Sequence, residues 1–392
     1  MQVVYPSYYH RFACSASACP DTCCQGWGIS IDRETYGRYM AVGGLMGAKL
    51  RSHIDHRKRR FLLNQDGRCM FLDRHGLCGL CVDLGESMMC RTCRIYPRHE
   101  ESYGDLAEVS LSLSCPAAAR LVLEQKEPVI YQTREKTSGA SLHGEGTGPA
   151  DDLSGLPLPD RQLLDGLLRL RQAMFFLLRR TELKADVRAG AVLALVRDGQ
   201  RRLRRQAYDQ IGGLCARYEM APAKSLERKM APFREMGFQR RSLEEEYLDE
   251  LERLEEISGG FKELLRSARR GPAGKAPAPL EWPLISSQGL NLMEYFLYLL
   301  YPGAVYDGNG WTKAGLAAFS LLAVRRLAAG IMAAGDEQLP EQAFIRAAWM
   351  YSRQVEHSDQ NLERLENFVK KSSSCALPQL LACLLGGEEA DR

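Results

Sequence analysis

Ten of the thirteen cysteines in this 392-residue chain fall within its first 115 residues. They are Cys14, Cys19, Cys23, Cys24, Cys69, Cys78, Cys81, Cys90, Cys93 and Cys115, while Cys215, Cys375 and Cys383 stand apart. Cysteine used as core filler follows burial, which gives no reason to crowd one end of a chain. Clustered thiols confine that end to a disulfide framework, a zinc-organised fold or an iron–sulfur fold. The N-terminal MQVVYPSYYHRFACSASAC lacks the basic stretch and apolar run of a secretory signal. The expectation is therefore a cytoplasmic chain in a reducing environment, where stable disulfides are rare and metal is the better account.

The spacing reads Cys14-x4-Cys19-x3-Cys23-Cys24, then Cys69-x8-Cys78-x2-Cys81-x8-Cys90-x2-Cys93, with Cys115 beyond. Four thiolates fill a tetrahedral zinc or a cubane. By bare spacing zinc is slightly the better match, although the gap between the two Cys-x2-Cys pairs is shorter than a usual zinc-ribbon loop. Cys23 and Cys24 are adjacent and point different ways, so one ligates while the other serves a second metal, the core or chemistry. Cys215, Cys375 and Cys383 lie in helical segments and are expected not to be ligands. The Cys-x3-Cys-x2-Cys spacing, a strand-following G-x-G-x-x-G, a P-loop and H-E-x-x-H do not occur.

Periodicity divides the rest. Residues 1–124 carry mixed signals. Val109, Leu111 and Leu113 alternate with serines as in a strand, Arg68–Asp73 and Leu77–Leu80 suit a small hairpin, and Asp32 suits a helix cap. Residues 125–160 and 269–283 have the Pro/Gly-rich composition of linkers. Segments 161–268 and 284–392 repeat apolar residues with helical period, with helices expected from Arg161 and around 187–218, 241–258, 289–301, 312–334, 340–356 and 358–371. The expected fold class is mostly α: an N-terminal cysteine-rich, metal-binding α+β domain followed by a helical C-terminal region. A 45% hydrophobic content supports a core without help from metal. The basic runs RSHIDHRKRR and RRLRR lack interleaved aromatics, so nucleic acid is not an expected partner. Glu294 and the Arg325–Arg326 pair interrupt the longest apolar segments, and no membrane span is expected.

Four cysteine-bearing stretches, CPDTCCQGWGISID, CMFLDRHGLCGL, CRTCRIYPR and SLSLSCPAAARLVL, resemble the flagellin lysine-N-methylase family. So do NLMEYFLYLLYPGAVYDG and YSRQVEHSDQNLERL near the other end, while the N-terminal part is also similar to YkgJ-type cysteine-cluster proteins. The resemblance implies S-adenosylmethionine-dependent methylation of lysine ε-amines on flagellin. It also implies a 4Fe–4S cluster held from among Cys14, Cys19, Cys23, Cys24, Cys69, Cys78, Cys90, Cys93 and Cys115, with Cys81 the weakest match.

A lysine amine attacks a methyl only when neutral, so such a site needs apolar walls or a base. Tyr295 and Tyr298, with Tyr301 nearby, and His357 are the candidate catalytic residues. Arg353, His357 and Asn361 recur every four residues with Glu356 beside them. On one helix face, Arg353, Glu356 and Asn361 would hold a cofactor's carboxylate and ribose. On residue type alone, ordinary core aromatics and a solvated or interhelical salt-bridge face are the readier account of these residues, and the resemblance shifts the balance towards function. A non-catalytic zinc or iron–sulfur module, for protein interaction or electron transfer, remains the alternative.

Overall fold

The structure is a computed structural model and describes residues 1–135, 160–257, 259–269 and 286–386. Most of each expected linker lies outside the described residues.

The alternation around Val109 becomes a strand within a four-stranded sheet. Its members are β1 (Gln2–Pro6), β2 (Arg98–Tyr103), β3 (Leu106–Leu111) and β4 (Tyr131–Glu135), in the order β2-β3-β1-β4. β1 and β3 run parallel with Val3 opposite Ala107, and the other pairs are antiparallel. Alternation predicts one wet face, yet all six residues of β3 are buried. The reason is Glu108, whose carboxylate takes both arms of the Arg171 guanidinium, one at 2.6 Å. That pairing lets the Arg161–Leu178 helix cover the polar face without leaving a buried charge unmatched.

The helical period is realised with three differences. The 187–218 stretch is two helices, Ala185–Leu203 and Asp209–Glu219, parted where Gln206 takes a φ of +55°. Ala223–Arg234, Phe261–Arg269 and Leu377–Leu385 are additional helices. Gly310–Ala334, whose segment was expected to be too interrupted for a membrane span, is long and apolar enough to cross one by length and composition. Most of its apolar window is buried inside the protein, as in a core helix. The Phe261–Arg269 helix crosses it at Gly330, where an added Cβ would lie 2.6 Å from the Ala268 backbone nitrogen.

The cysteine-rich segment between β1 and β2 has a small core of its own, built from Ile29, Ile31, Tyr39, Ile54, Phe61 and Phe71 with Cys69 and Cys90. Asp32 caps the Arg33–Ala41 helix by accepting from the Thr35 amide at 2.9 Å, and its other oxygen accepts from the Arg91 amide at 2.8 Å. One carboxylate thereby ties a helix start to the Cys90–Cys93 turn. The expected hairpin shrinks to a turn closed by the Leu72–Cys78 bridge. The sheet belongs instead to the core it shares with the helices, and it is the surface on which the cysteine segment and the C-terminal helices meet.

Candidate active site

Beyond β3 the alternation of SLSLSC continues, so Leu111 and Leu113 stay buried while Ser112 and Ser114 share the other side. The Pro340–Glu356 helix ends against these serines. It stops there, as the separate periods over 340–356 and 358–371 predict, so the four-residue face of Arg353, His357 and Asn361 is broken. His357 leaves helical geometry (φ −106°, ψ 7°), and Ser358 starts a new helix, Asp359–Lys371, by accepting from the Asn361 amide at 3.2 Å. The helix end is what presents Glu356 and His357.

His357 Nε2 lies 2.7 Å from Ser114 Oγ, which also meets the Tyr96 hydroxyl at 3.0 Å and Ser112 Oγ at 2.5 Å. The imidazole is flanked by Trp27, with ring centroids 4.7 Å apart, and by Tyr96 at 5.8 Å. Trp27 is held in turn by its indole N–H, which donates to the Cys23 carbonyl at 2.8 Å. These rings form one end of a cleft of about 590 Å³, whose other lining includes Phe296, Tyr103 and Tyr306. That volume is within the range of small-molecule sites, roughly 300–1,000 Å³. Burial, reinforced by the Arg353 charge, lowers the His357 pKa from 6.5 to about 4, so the ring is neutral at physiological pH. Burial raises the Glu356 carboxyl, opposed by nearby Ser112, Tyr295 and Ser352.

The expected residues divide. Tyr295 stands behind the cleft wall, donating to Glu356 Oε2 at 3.0 Å and accepting from the Leu113 amide at 3.3 Å. Tyr298 is not brought there: its hydroxyl meets the Val4 and Val109 carbonyls, each at 3.1 Å, and its ring stacks on Tyr131. It fastens helix to sheet. Arg353 is fully buried and already holds a carboxylate, that of Asp21, while its second arm donates to the Ser114 carbonyl at 3.1 Å. Asn361 exchanges two hydrogen bonds of 2.8 Å with the Glu255 backbone and donates to the Gln354 carbonyl. Arg353 and Asn361 therefore do not fit the expected role at a cofactor's carboxylate and ribose; of that trio, Glu356 alone reaches the cleft. Trp27, Tyr96, Ser112 and Ser114 were missed as site residues, although QGWG, CRIYP and the alternating serines carry them.

The thiols gather without closing a shell. Besides burial, neighbouring thiols raise Cys23, Cys69, Cys78 and Cys93, and Cys14 and Cys19 raise Cys115 beside them. Burial pushes Cys69 and Cys115 up to about 11. Hydrogen bonding between Cys90 and Cys93 lowers the former and raises the latter. All are free thiols, the soft donors that zinc and iron–sulfur clusters take. Among the described residues, no three Cys, His, Asp or Glu side chains are set close enough to hold one ion as they stand. The kind and number of donors fit a thiolate-held group, and the distances leave its ligand set unassigned.

A family model described as the FliB lysine N-methylase C-terminal domain matches residues 171–383, more than half of the chain. A lysine-N-methylase of Salmonella typhimurium is 33% identical over 146 residues, covering 34% of this chain and 35% of that protein. The flagellar biosynthetic protein FliU of Salmonella muenchen is 30% identical over 151 residues, covering 36% of this chain and 88% of FliU. A lysine-N-methylase of Salmonella choleraesuis is 32% identical over 146 residues. The chain thus spans about a third of the length of the two lysine-N-methylases it matches. No solved structure matches it.

Proposed function

This chain belongs to the flagellin lysine-N-methylase family, and from that premise we propose that it methylates lysine ε-amines at the aromatic cleft around His357. Flagellin is the proposed substrate, S-adenosylmethionine the methyl donor, and a 4Fe–4S cluster held by N-terminal thiols the resident cofactor. The observation that carries the reading is a neutral imidazole held by Ser114 between Trp27 and Tyr96.

A lysine side chain reaches the cleft as an ammonium, with an ordinary pKa near 10.4, and its nitrogen is a nucleophile only after losing a proton. The aromatic walls lower the nitrogen's pKa so that it sheds its proton, and a neutral His357 accepts a hydrogen bond from a remaining N–H and orients the lone pair. Ser114 and Tyr96 fix the plane of the ring. S-adenosylmethionine supplies an electrophilic methyl; the residues that hold it are not among the expected Arg353 and Asn361. For the cluster, the support is the number and softness of the gathered thiols. Free thiols and the burial of the Gly310–Ala334 helix support a soluble cytoplasmic setting.

The test is His357→Asn, assayed by mass spectrometry of flagellin lysines under anaerobic conditions. Loss of the imidazole that orients the nitrogen lowers the transfer rate about 100-fold while circular dichroism stays that of the parent. A variant transferring methyl at the parent rate contradicts the assignment.

A further inference from the structure

The cleft contains several carboxylates, and most already face a cation. Glu366 Oε1 and Asp307 Oδ2 meet Lys313 Nζ at 2.5 and 3.6 Å, and Glu101 meets His99 at 3.2 Å. Glu356 differs. Its Oε2 accepts from Tyr295, whereas Oε1 is buried with no hydrogen-bond partner among the described residues. The hydroxyls of Ser112 and Ser352 lie near without making a bond of normal geometry to that oxygen, and Ser112 is turned to Ser114 instead. No cation lies within ion-pair distance of Glu356 among the described residues. A buried carboxylate oxygen left without a donor is costly, and proteins satisfy such atoms with a ligand where the atom borders a cavity.

We propose that Glu356 Oε1 and the Trp27, Tyr96 and Phe296 rings form a subsite for a primary alkylammonium, which places the substrate lysine's nitrogen beside His357. One N–H donates to Oε1, whose carboxylate offsets the cost that the apolar walls place on the charge, and the methylene chain lies along those walls. Tyr295 holds the carboxylate from behind, leaving Oε1 for the ligand. The identity of the ligand as lysine rests on the methylation reading; the recognition of an ammonium does not. Each methyl added to the nitrogen replaces an N–H, so a fully methylated product has no donor left for Oε1. The subsite therefore favours substrate over trimethylated product, and it likewise disfavours a sulfonium cation.

Calorimetric titration of the full chain with n-butylammonium, N,N,N-trimethylbutylammonium and butan-1-ol tests this without turnover. Butylammonium binds saturably, and the quaternary cation and the alcohol each bind about tenfold more weakly or worse, the worth of one charge-assisted hydrogen bond. Glu356→Gln abolishes the preference. Absence of butylammonium binding, equal binding of the quaternary cation or the alcohol, or a preference retained in Glu356→Gln overturns the proposal. The comparison of three ligands on the unaltered protein stands even where the variant fails to fold. Butylammonium selectivity without methylation of flagellin leaves the subsite standing and sinks the methylation reading, and the reverse result sinks the subsite alone.

Discussion

His357 enters a buried position as a neutral ring, and that choice has a consequence for stability. At pH 7 the imidazole is neutral in folded and unfolded chains alike. As pH falls below 6.5 the unfolded chain takes up a proton that the folded site refuses until about 4, so stability is lost across that interval. Allowing for solvent screening of the partly exposed ring, the loss is about 1 kcal/mol. Thermal melts at pH 7 and pH 5 should therefore converge in His357→Gln relative to the parent; equal pH-dependent shifts in the two proteins contradict the assignment. His357 was singled out by its four-residue spacing from Arg353 and Asn361, on a helix that ends at Glu356. Tyr298 was legible only as an aromatic, and whether a phenol lines a cleft or ties a strand depends on which carbonyls the fold sets opposite it.

The elements that meet at the site illustrate how far local pattern reaches. Asp32 before RETYGRYM reads as a cap and is one, since capping depends on neighbours in sequence. The spacing of Arg353, His357 and Asn361 places them on one face only while the helix persists. Ser358 interrupts it, and Ser-Asp-Gln-Asn is itself a start signal for a second helix. Arg353 was expected to offer its fork to a ligand, but Asp21, 332 residues away in sequence, reaches it first. That ion pair joins the end of the Pro340–Glu356 helix to the cysteine segment, with the Arg353 side chain only 2% exposed. Asp21→Asn leaves a buried guanidinium without its counter-charge and should cost about 3 kcal/mol in urea unfolding. An unchanged midpoint would show the pair to be incidental.

Across the whole molecule, the mostly α architecture was legible because 3.6-residue periodicity is a local property of long segments. The parallel pairing of β1 with β3 was not, since it joins strands about a hundred residues apart by a register that no local pattern encodes. The cleft escaped the sequence for the same reason: Trp27, Tyr96, Phe296 and His357 come from segments far apart in sequence that line one cavity. The division of cysteines was legible, with Cys215, Cys375 and Cys383 buried in the helical core and the other ten gathered at the cysteine segment and its junction with the sheet. The central claim is methyl transfer to lysine. Its most direct test incubates the anaerobically purified chain with flagellin and S-adenosylmethionine carrying an isotopically labelled methyl, and locates the label by peptide mass spectrometry. Label is expected on lysine ε-nitrogens and is lost with His357→Asn; labelled methyl that never appears on flagellin lysines contradicts methyl transfer at this cleft.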